Sequence, residues 1–358
     1  MGRIKINDHS YTFEDIQLGN WIEQEAYFSE SLTFCQEWLN GKTQFELQTS
    51  GSTGTPKKIS ISRTQMEISA ASTRAFFKLK NKPHLLICIN TQMIGGKMML
   101  VRGMEWDADI SLVLPESNPL KNLPLEQDID FCAMVPMQVE ACMKHKFSSK
   151  IISKIRALII GGAPTSESLL QLISKQKLNA FQTYGMTETV SHIALAKIDG
   201  STLSYQTLPN VIIGVDETNR LWIEAPMAQE KRLQTNDLVE IIDESNFRWI
   251  GRADFTINSG GIKIQPEKLE TELEEFILAT FGKVSYFVYG QKDEQLGQKL
   301  ILIIESSTIN KNKAQELLYF LKDRIHKYHR PKEILLLDQF VRTKSGKINR
   351  TKTAELCI

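Results

Sequence analysis

No stretch of this sequence is apolar for long enough to cross a bilayer. The longest runs, such as LLICI at 85–89, fall far short of the roughly 20 residues that a spanning helix needs. The first ten residues, MGRIKINDHS, lack the apolar core of a secretory signal. Ile6 stands where a myristoylation signal needs Ser or Thr. An excess of charge of one sign is also missing. The chain has 43 Lys and Arg against 42 Asp and Glu, a net +1, so nothing in the balance points to nucleic acid or an anionic membrane. Cysteine is scarce: Cys35, Cys88, Cys132, Cys142 and Cys357 are scattered, with no CxxC pair. An odd, unpatterned set fits free thiols in a reducing compartment, and the cytoplasm is the expected location. Internal repeats and low-complexity tracts are absent. What remains is ordinary globular composition, 42% hydrophobic and 24% charged, over 358 residues, enough for two or three domains.

The pattern along the chain predicts an α/β protein. Residues 1–48 read mostly as helix, with Trp21, Phe28, Phe34 and Trp38 as core. Ser62 and Gln65 form a capping-box pair that starts a helix through about Lys78. HLLICIN, DADISLVLP, DIDFCAMVP, RALIIGGAP and NAFQTYG read as buried strands, with a helix from Ser166 to Lys175 between the last two. Alternating strands and helices argue for a mostly parallel sheet with helices on its faces. After about residue 200, short β-rich segments suggest an antiparallel subdomain. The final hundred residues read as a small α+β domain, with one helix opening at Pro266 and Glu267 and another from Asn312 to about Tyr328.

Four segments carry chemistry. The first is TSGSTGTPK at 49–57. Gly51 and Gly54 allow tight turns, Thr49, Ser50, Ser52 and Thr53 offer hydroxyls, and Lys57 adds a cation. Such a loop can wrap a polyphosphate. It is not a Walker loop, which needs four residues between its first glycine and Gly-Lys-Ser/Thr. As a lone motif it is as easily a polar surface turn. The second is GGAP at 161–164, at the strand edge where open α/β sheets bind ligands. The third is TYGMTET at 183–189. Its Glu188 suits Mg²⁺ beside phosphates, although a lone loop carboxylate is more often simply solvated. The fourth set is Asp237, Arg252, Asp254 and, near the C-terminus, Lys347, which composition alone would leave as a surface lysine.

Taken in order, TSGSTGTPK, GGAP, YGMTE, the Asp of TNDL, GRADFTINSGGIKIQPEKLE and SGKINR resemble the adenylate-forming superfamily of acyl-CoA synthetases, peptide-synthetase adenylation domains and luciferases. The resemblance runs from about residue 45 to the end. It implies a large N-terminal domain (1–251), a hinge (252–256) and a small mobile C-terminal domain (257–358). It implies ATP, Mg²⁺, CoA and a small carboxylic acid as ligands. Residues 49–57 would grip the β- and γ-phosphates. Gly161, Gly162 and Ala163 would lie against adenine, with Tyr184 stacked on it and Gly185 in the following turn. Thr187 would bond the α-phosphate and Glu188 would hold Mg²⁺. Asp237, helped by Arg252, would hold the ribose hydroxyls. Asp254 would be the hinge, and Lys347 would bridge the carboxylate and the α-phosphate. Gly260 and Gly261 would leave room for a pantetheine arm.

The chain departs from the superfamily pattern in three places. Only 48 residues precede the phosphate loop, where the family has a much longer region. Lys58 follows Pro56-Lys57 where a glycine is usual. No His occurs in NTQMIGGKMMLVRG, so an aromatic gate on the acyl pocket is not expected. That last segment, INTQMIGGKMMLVRGMEWDADI, resembles the o-succinylbenzoate–CoA ligases of menaquinone synthesis. Their substrate is a dicarboxylate, and Lys97 and Arg102 are candidate partners for its second carboxylate, as against solvent-facing helix residues. Two other readings stay open: an enzyme loading a carrier protein, and a non-catalytic nucleotide-binding scaffold.

Overall fold

Six parallel strands lie side by side in a 13-stranded sheet: Arg3–Ile6, Asp109–Leu112, His84–Ile87, Phe131–Met134, Leu158–Ile160 and Ala180–Gly185. The computed structural model describes residues 1–48, 58–125, 128–307, 311–343 and 347–357; all statements of structure concern these. Every residue of Phe131–Met134 and Leu158–Ile160 is buried, as in strands covered on both faces. Helices Arg63–Phe77, Ile94–Glu105, Pro136–Lys144 and Glu167–Lys175 connect them. The Ser62–Gln65 capping box is present, with both reciprocal bonds made.

The β-rich stretch after residue 200 is not a separate sheet. His192–Lys197 pairs antiparallel with Ala180–Gly185, and Tyr205–Thr207, Asn246–Arg252, Leu233–Ile241, Arg220–Glu224 and Ile212–Val215 extend the same sheet. A single strand pair therefore joins the parallel half to the antiparallel half. That junction depends on Gly185, where an added Cβ would stand 2.3 Å from the Ser191 carbonyl oxygen and 2.5 Å from the His192 Cα. Backbone cannot yield as a side-chain tip can. Gly185→Ala should cost about 2 kcal/mol or more, read as a lower denaturant midpoint at unchanged slope.

The smaller sheet begins only five residues past the end of Asn246–Arg252. It contains Ile257–Ser259, Ile262–Ile264, Tyr286–Asp293, Gly297–Glu305 and Glu333–Leu337, with helices Pro266–Phe281 and Lys311–Leu321 packed on it. Between the sheets lies one 3₁₀ turn, Ala253–Phe255.

Two expectations are corrected here. Residues 1–48 do not start as helix. Arg3–Ile6 and His9–Thr12 form a hairpin on the edge of the large sheet, ahead of helices Phe13–Leu18 and Ala26–Leu39. Ile4 and Ile6 alternate with Arg3 and Lys5, and both isoleucines are fully buried. The period-two signal was only four residues long and was masked by the aromatics behind it. Those aromatics do serve the core: Phe28, Phe34 and Trp38 are buried, and Trp21 packs against them. The later helix stops at Leu321 rather than near Tyr328. Past Leu321 the segment KDRIHKYHRPK buries only Ile325 and Pro331, and so has no apolar stripe to hold further turns against the sheet. No helix among the described residues is long and apolar enough to cross a membrane.

Candidate active site

The C-terminal ends of two neighbouring parallel strands carry two glycine turns. Gly161 follows Leu158–Ile160 and is anchored by its N–H to the Met134 carbonyl at 3.1 Å. Any side chain at Gly161 would strike the Thr183 hydroxyl, 2.4 Å from the Cβ position. Gly162 has φ +82, a left-handed conformation that glycine adopts without strain. Gln182 reaches back to the Ala163 carbonyl at 3.4 Å and also bonds Thr165, so the two turns are held as one edge.

Tyr184 and Asp237 meet across the sheet. The Tyr184 hydroxyl donates to Asp237 Oδ2 at 2.6 Å, and the Trp249 indole donates to Oδ1 at 3.3 Å. Burial, followed by the Asp237 charge, pushes the Tyr184 phenol well above its ordinary range, so it stays a donor. Asp237 is 7% exposed and sits opposite Arg252 in strand register, with Arg252 Nη1 3.8 Å from its Oδ1. Arg252 also grips Asp254 through two bonds of 2.9 and 2.8 Å. One guanidinium thus links the sheet carboxylate to the inter-sheet turn.

Thr187 and Glu188 lie on a 3₁₀ turn, Thr187–Thr189, and both are half-buried. The turn ends at Val190, a β-branched residue with φ +65 and ψ −51, whose flanking Ser191 N–H bonds the Thr189 carbonyl at 2.7 Å. This is a γ-turn geometry that β-branched residues rarely take.

Lys347 comes from the other sheet's side. Its backbone pairs with Thr343, whose N–H donates to the Lys347 carbonyl at 2.8 Å. The side chain is still open to solvent, yet enough protein surrounds it that desolvation lowers its pKa. Arg252 adds repulsion, and Asp237 opposes the shift. Lys347 is therefore within electrostatic reach of the Asp237–Arg252 pair. The structure joins Tyr184, Asp237, Arg252 and Asp254 by direct contacts and leaves Lys347 within electrostatic reach of them.

Other predicted residues stand apart. Gly260 and Gly261, with φ +59 and +81, make the two-residue turn between Ile257–Ser259 and Ile262–Ile264. They form no hydrogen bond with the cluster among the described residues. Lys97 packs its ammonium 5.2 Å from the Phe34 ring centroid, toward helix Ala26–Leu39. Arg102 points elsewhere: it is 1% exposed and donates to Ser191 Oγ at 2.9 Å. The structure does not bring Lys97 and Arg102 to one place. The loop Thr49–Lys57, expected to hold the phosphates, lies outside the described residues. Trp249 and Ser191 were missed in the sequence. Trp249 sits 12 residues from Asp237 with no motif around it, and Ser191 follows YGMTE by chain position alone.

The AMP-binding enzyme pattern matches residues 45–218, and that of the AMP-binding enzyme C-terminal domain matches 272–347. An acyl-CoA synthetase (AMP-forming)/AMP-acid ligase II-like protein from Dyadobacter fermentans is 36% identical; the match covers 95% of this chain and 97% of that one, at a TM-score of 0.63. The 2-succinylbenzoate–CoA ligase of Bacillus cytotoxicus is 22% identical over 377 residues, 97% of this chain and 75% of the relative. The O-succinylbenzoate coenzyme A synthetase of Bacillus subtilis, solved with ATP and magnesium, shares the fold at a TM-score of 0.70 and 20% identity, over 86% of this chain and 69% of that one. With near full-length identity of 36% and both family patterns in order, the chain belongs to the AMP-binding enzyme family.

Proposed function

We propose that this protein is an ATP-dependent acid–CoA ligase that acts through an acyl-adenylate, and that its acid is o-succinylbenzoate. The observation that carries the ligase reading is that Lys347, from the C-terminal segment, lies within electrostatic reach of the paired Asp237 and Arg252 of the large sheet. Binding a nucleotide does not require a lysine delivered from a second sheet. Joining a carboxylate to the α-phosphate does, because negative charge crowds there. The acid reading is supported by the 2-succinylbenzoate–CoA ligases among the relatives and by a buried arginine, Arg102, near the turn that holds Glu188.

In this reading the substrate carboxylate attacks the α-phosphorus in line. A carboxyl oxygen–phosphorus bond forms, the bond to pyrophosphate breaks, and pyrophosphate leaves. The residues supply position and charge rather than covalent help. Tyr184 and the edge Gly161–Ala163 hold adenine, Asp237 takes the ribose hydroxyls, and Thr187 bonds the α-phosphate. Thr49–Lys57 would hold the outer phosphates. The Glu188 carboxylate and the Thr187 hydroxyl are hard oxygen donors on one turn and would suit Mg²⁺, a cation that prefers oxygen ligands. When bound, the ion neutralises phosphate charge. The small sheet then turns about Asp254 and withdraws Lys347, and the Gly260–Gly261 hairpin makes room for a thiol arm. The thiolate attacks the acyl carbon and AMP leaves.

A second reading, transfer to a carrier protein instead of free CoA, has one feature in its favour. Tyr319 (78% exposed), Phe320 (45%) and Tyr328 (47%) stand beside Lys322, Arg324 and Lys327 on the smaller sheet's side. Pyrophosphate release with ATP, Mg²⁺ and CoA across o-succinylbenzoate, benzoate, a medium-chain fatty acid and several amino acids tests the proposal. Selective turnover of o-succinylbenzoate is expected. Turnover of another acid discards that substrate, and turnover only with a carrier protein present moves the second reading forward.

A further inference from the structure

Phe255 is the one aromatic residue in the turn between the sheets, and two arginines converge on it. The Arg252 guanidinium lies 5.6 Å from the ring centroid and that of Arg350 5.1 Å. Two cations on one ring would repel, but each has its own carboxylate. Arg252 holds Asp254, and Arg350 donates to Glu270 Oε2 at 2.7 Å. Glu270 is itself fixed by the Val288 N–H at 2.8 Å. The Arg350 guanidinium is otherwise unfinished: its Nη1 is buried with no hydrogen-bond partner. What it faces is aromatic, Phe255 and also Phe287 at 5.7 Å.

Arg350 is also three residues past Lys347. The two are tied by a short ladder: Thr343 N–H to the Lys347 carbonyl, an Arg342–Ile348 bridge, and Asn349 N–H to the Val341 carbonyl at 2.8 Å. Asn349 then caps helix Arg350–Glu355 through the Lys352 N–H. Where Arg350 is seated fixes where Lys347 emerges.

We infer that Phe255 and Arg350 form a latch that holds Lys347 against the Asp237–Arg252 pair, which makes both of them positioning residues for adenylation. The inference rests on the reading of Lys347 as the adenylation lysine. Phe255 and Arg350 belong to the turn and the smaller sheet's side, whereas Arg252 belongs to the large sheet. A rotation about Asp254 keeps the Phe255–Arg350 contact and opens the Phe255–Arg252 contact. A cation–ring contact suits that use, since it has no strict donor geometry and parts at lower cost than a buried ion pair.

The test uses the full chain and the variants Phe255→Leu, Phe255→Tyr and Arg350→Lys. Without substrate, hydrogen–deuterium exchange of the peptide spanning 341–350 is expected to rise in Phe255→Leu and to return to the wild-type level in Phe255→Tyr, at unchanged melting temperature. With o-succinylbenzoate as probe, ATP–pyrophosphate exchange should fall about tenfold in Phe255→Leu and Arg350→Lys, as expected for loss of cation–ring contacts. Thioester formation from supplied o-succinylbenzoyl-AMP should stay at the wild-type rate, and tyrosine should restore adenylation. Equal loss in both half-reactions together with a lower melting temperature overturns the latch and leaves Phe255 as packing. So does wild-type exchange in Phe255→Leu. If Lys347→Ala leaves adenylation intact, the lysine reading fails instead, and the substrate-free exchange data still decide whether the latch exists.

Discussion

Replacing Lys347 by alanine lowers acyl-adenylate formation by about a thousandfold and leaves thioester formation from supplied acyl-adenylate close to the wild-type rate; the magnitude follows from removal of one preorganised charge at a reacting centre. The asymmetry is the point. Lys347 lies within electrostatic reach of the Asp237–Arg252 pair from the far side of the Ala253–Phe255 turn. A residue delivered in this way serves the step for which its sheet is in place and no other. Its environment also fixes the pH dependence. Desolvation and Arg252 lower the Lys347 pKa, so its protonated form is lost as pH rises through a value below the ordinary lysine range. The alkaline limb of the adenylation rate should therefore fall earlier than a free lysine would give, and Lys347→Arg should move it upward with some activity kept. ATP–pyrophosphate exchange against pH measures both. Equal loss in the two half-reactions would remove the two-orientation account.

The parallel half of the fold was legible because its signal is dense. Continuous apolar runs such as LLICI and ALII stand out against polar or glycine-rich flanks, and they are the strands that lie buried on both faces. The capping box at Ser62 was legible for a similar reason, since two side chains at fixed spacing satisfy two backbone donors. The opening hairpin was not, because a four-residue strand has too few alternations to outweigh the helical spacing behind it. At the site, residues inside ordered motifs could be marked, and Tyr184, Asp237, Arg252, Asp254 and Lys347 do converge. Trp249 could not: its bond to Asp237 exists only because Leu233–Ile241 and Asn246–Arg252 are paired. Arg350 and Phe255 lay within quoted motifs, but their meeting is set by how the C-terminal segment folds back over the turn. Sequence order cannot show that, because the two are 95 residues apart.

Arg102 is where stability and specificity should separate. Its guanidinium is fully buried, and among the described residues no carboxylate pairs with it. It donates to Ser191, lies 6.0 Å from the Phe131 ring centroid, and leaves its Nε without a partner. Behind Ser191 stands His192, also buried, which contacts the Thr73 hydroxyl at 3.2 Å and is kept neutral by burial and by Arg102. Burial pushes the Arg102 pKa down to about 9. It is still charged at neutral pH, and the protein bears the cost of holding that charge away from water. Between about 9 and the ordinary arginine value the folded chain holds fewer protons than the unfolded one, so this contribution becomes less unfavourable as pH rises. An unpaired buried cation that costs stability is a natural partner for a substrate's spectator carboxylate, which would complete the pair on binding. Arg102→Met should accordingly raise the melting temperature by on the order of a few degrees. The same change should raise KM for o-succinylbenzoate roughly fiftyfold, the worth of a charge-assisted hydrogen bond, while KM for benzoate moves little. A lower melting temperature with equal losses for both acids would make Arg102 a structural residue, tied to Ser191 and His192, and would leave the second carboxylate to be recognised elsewhere.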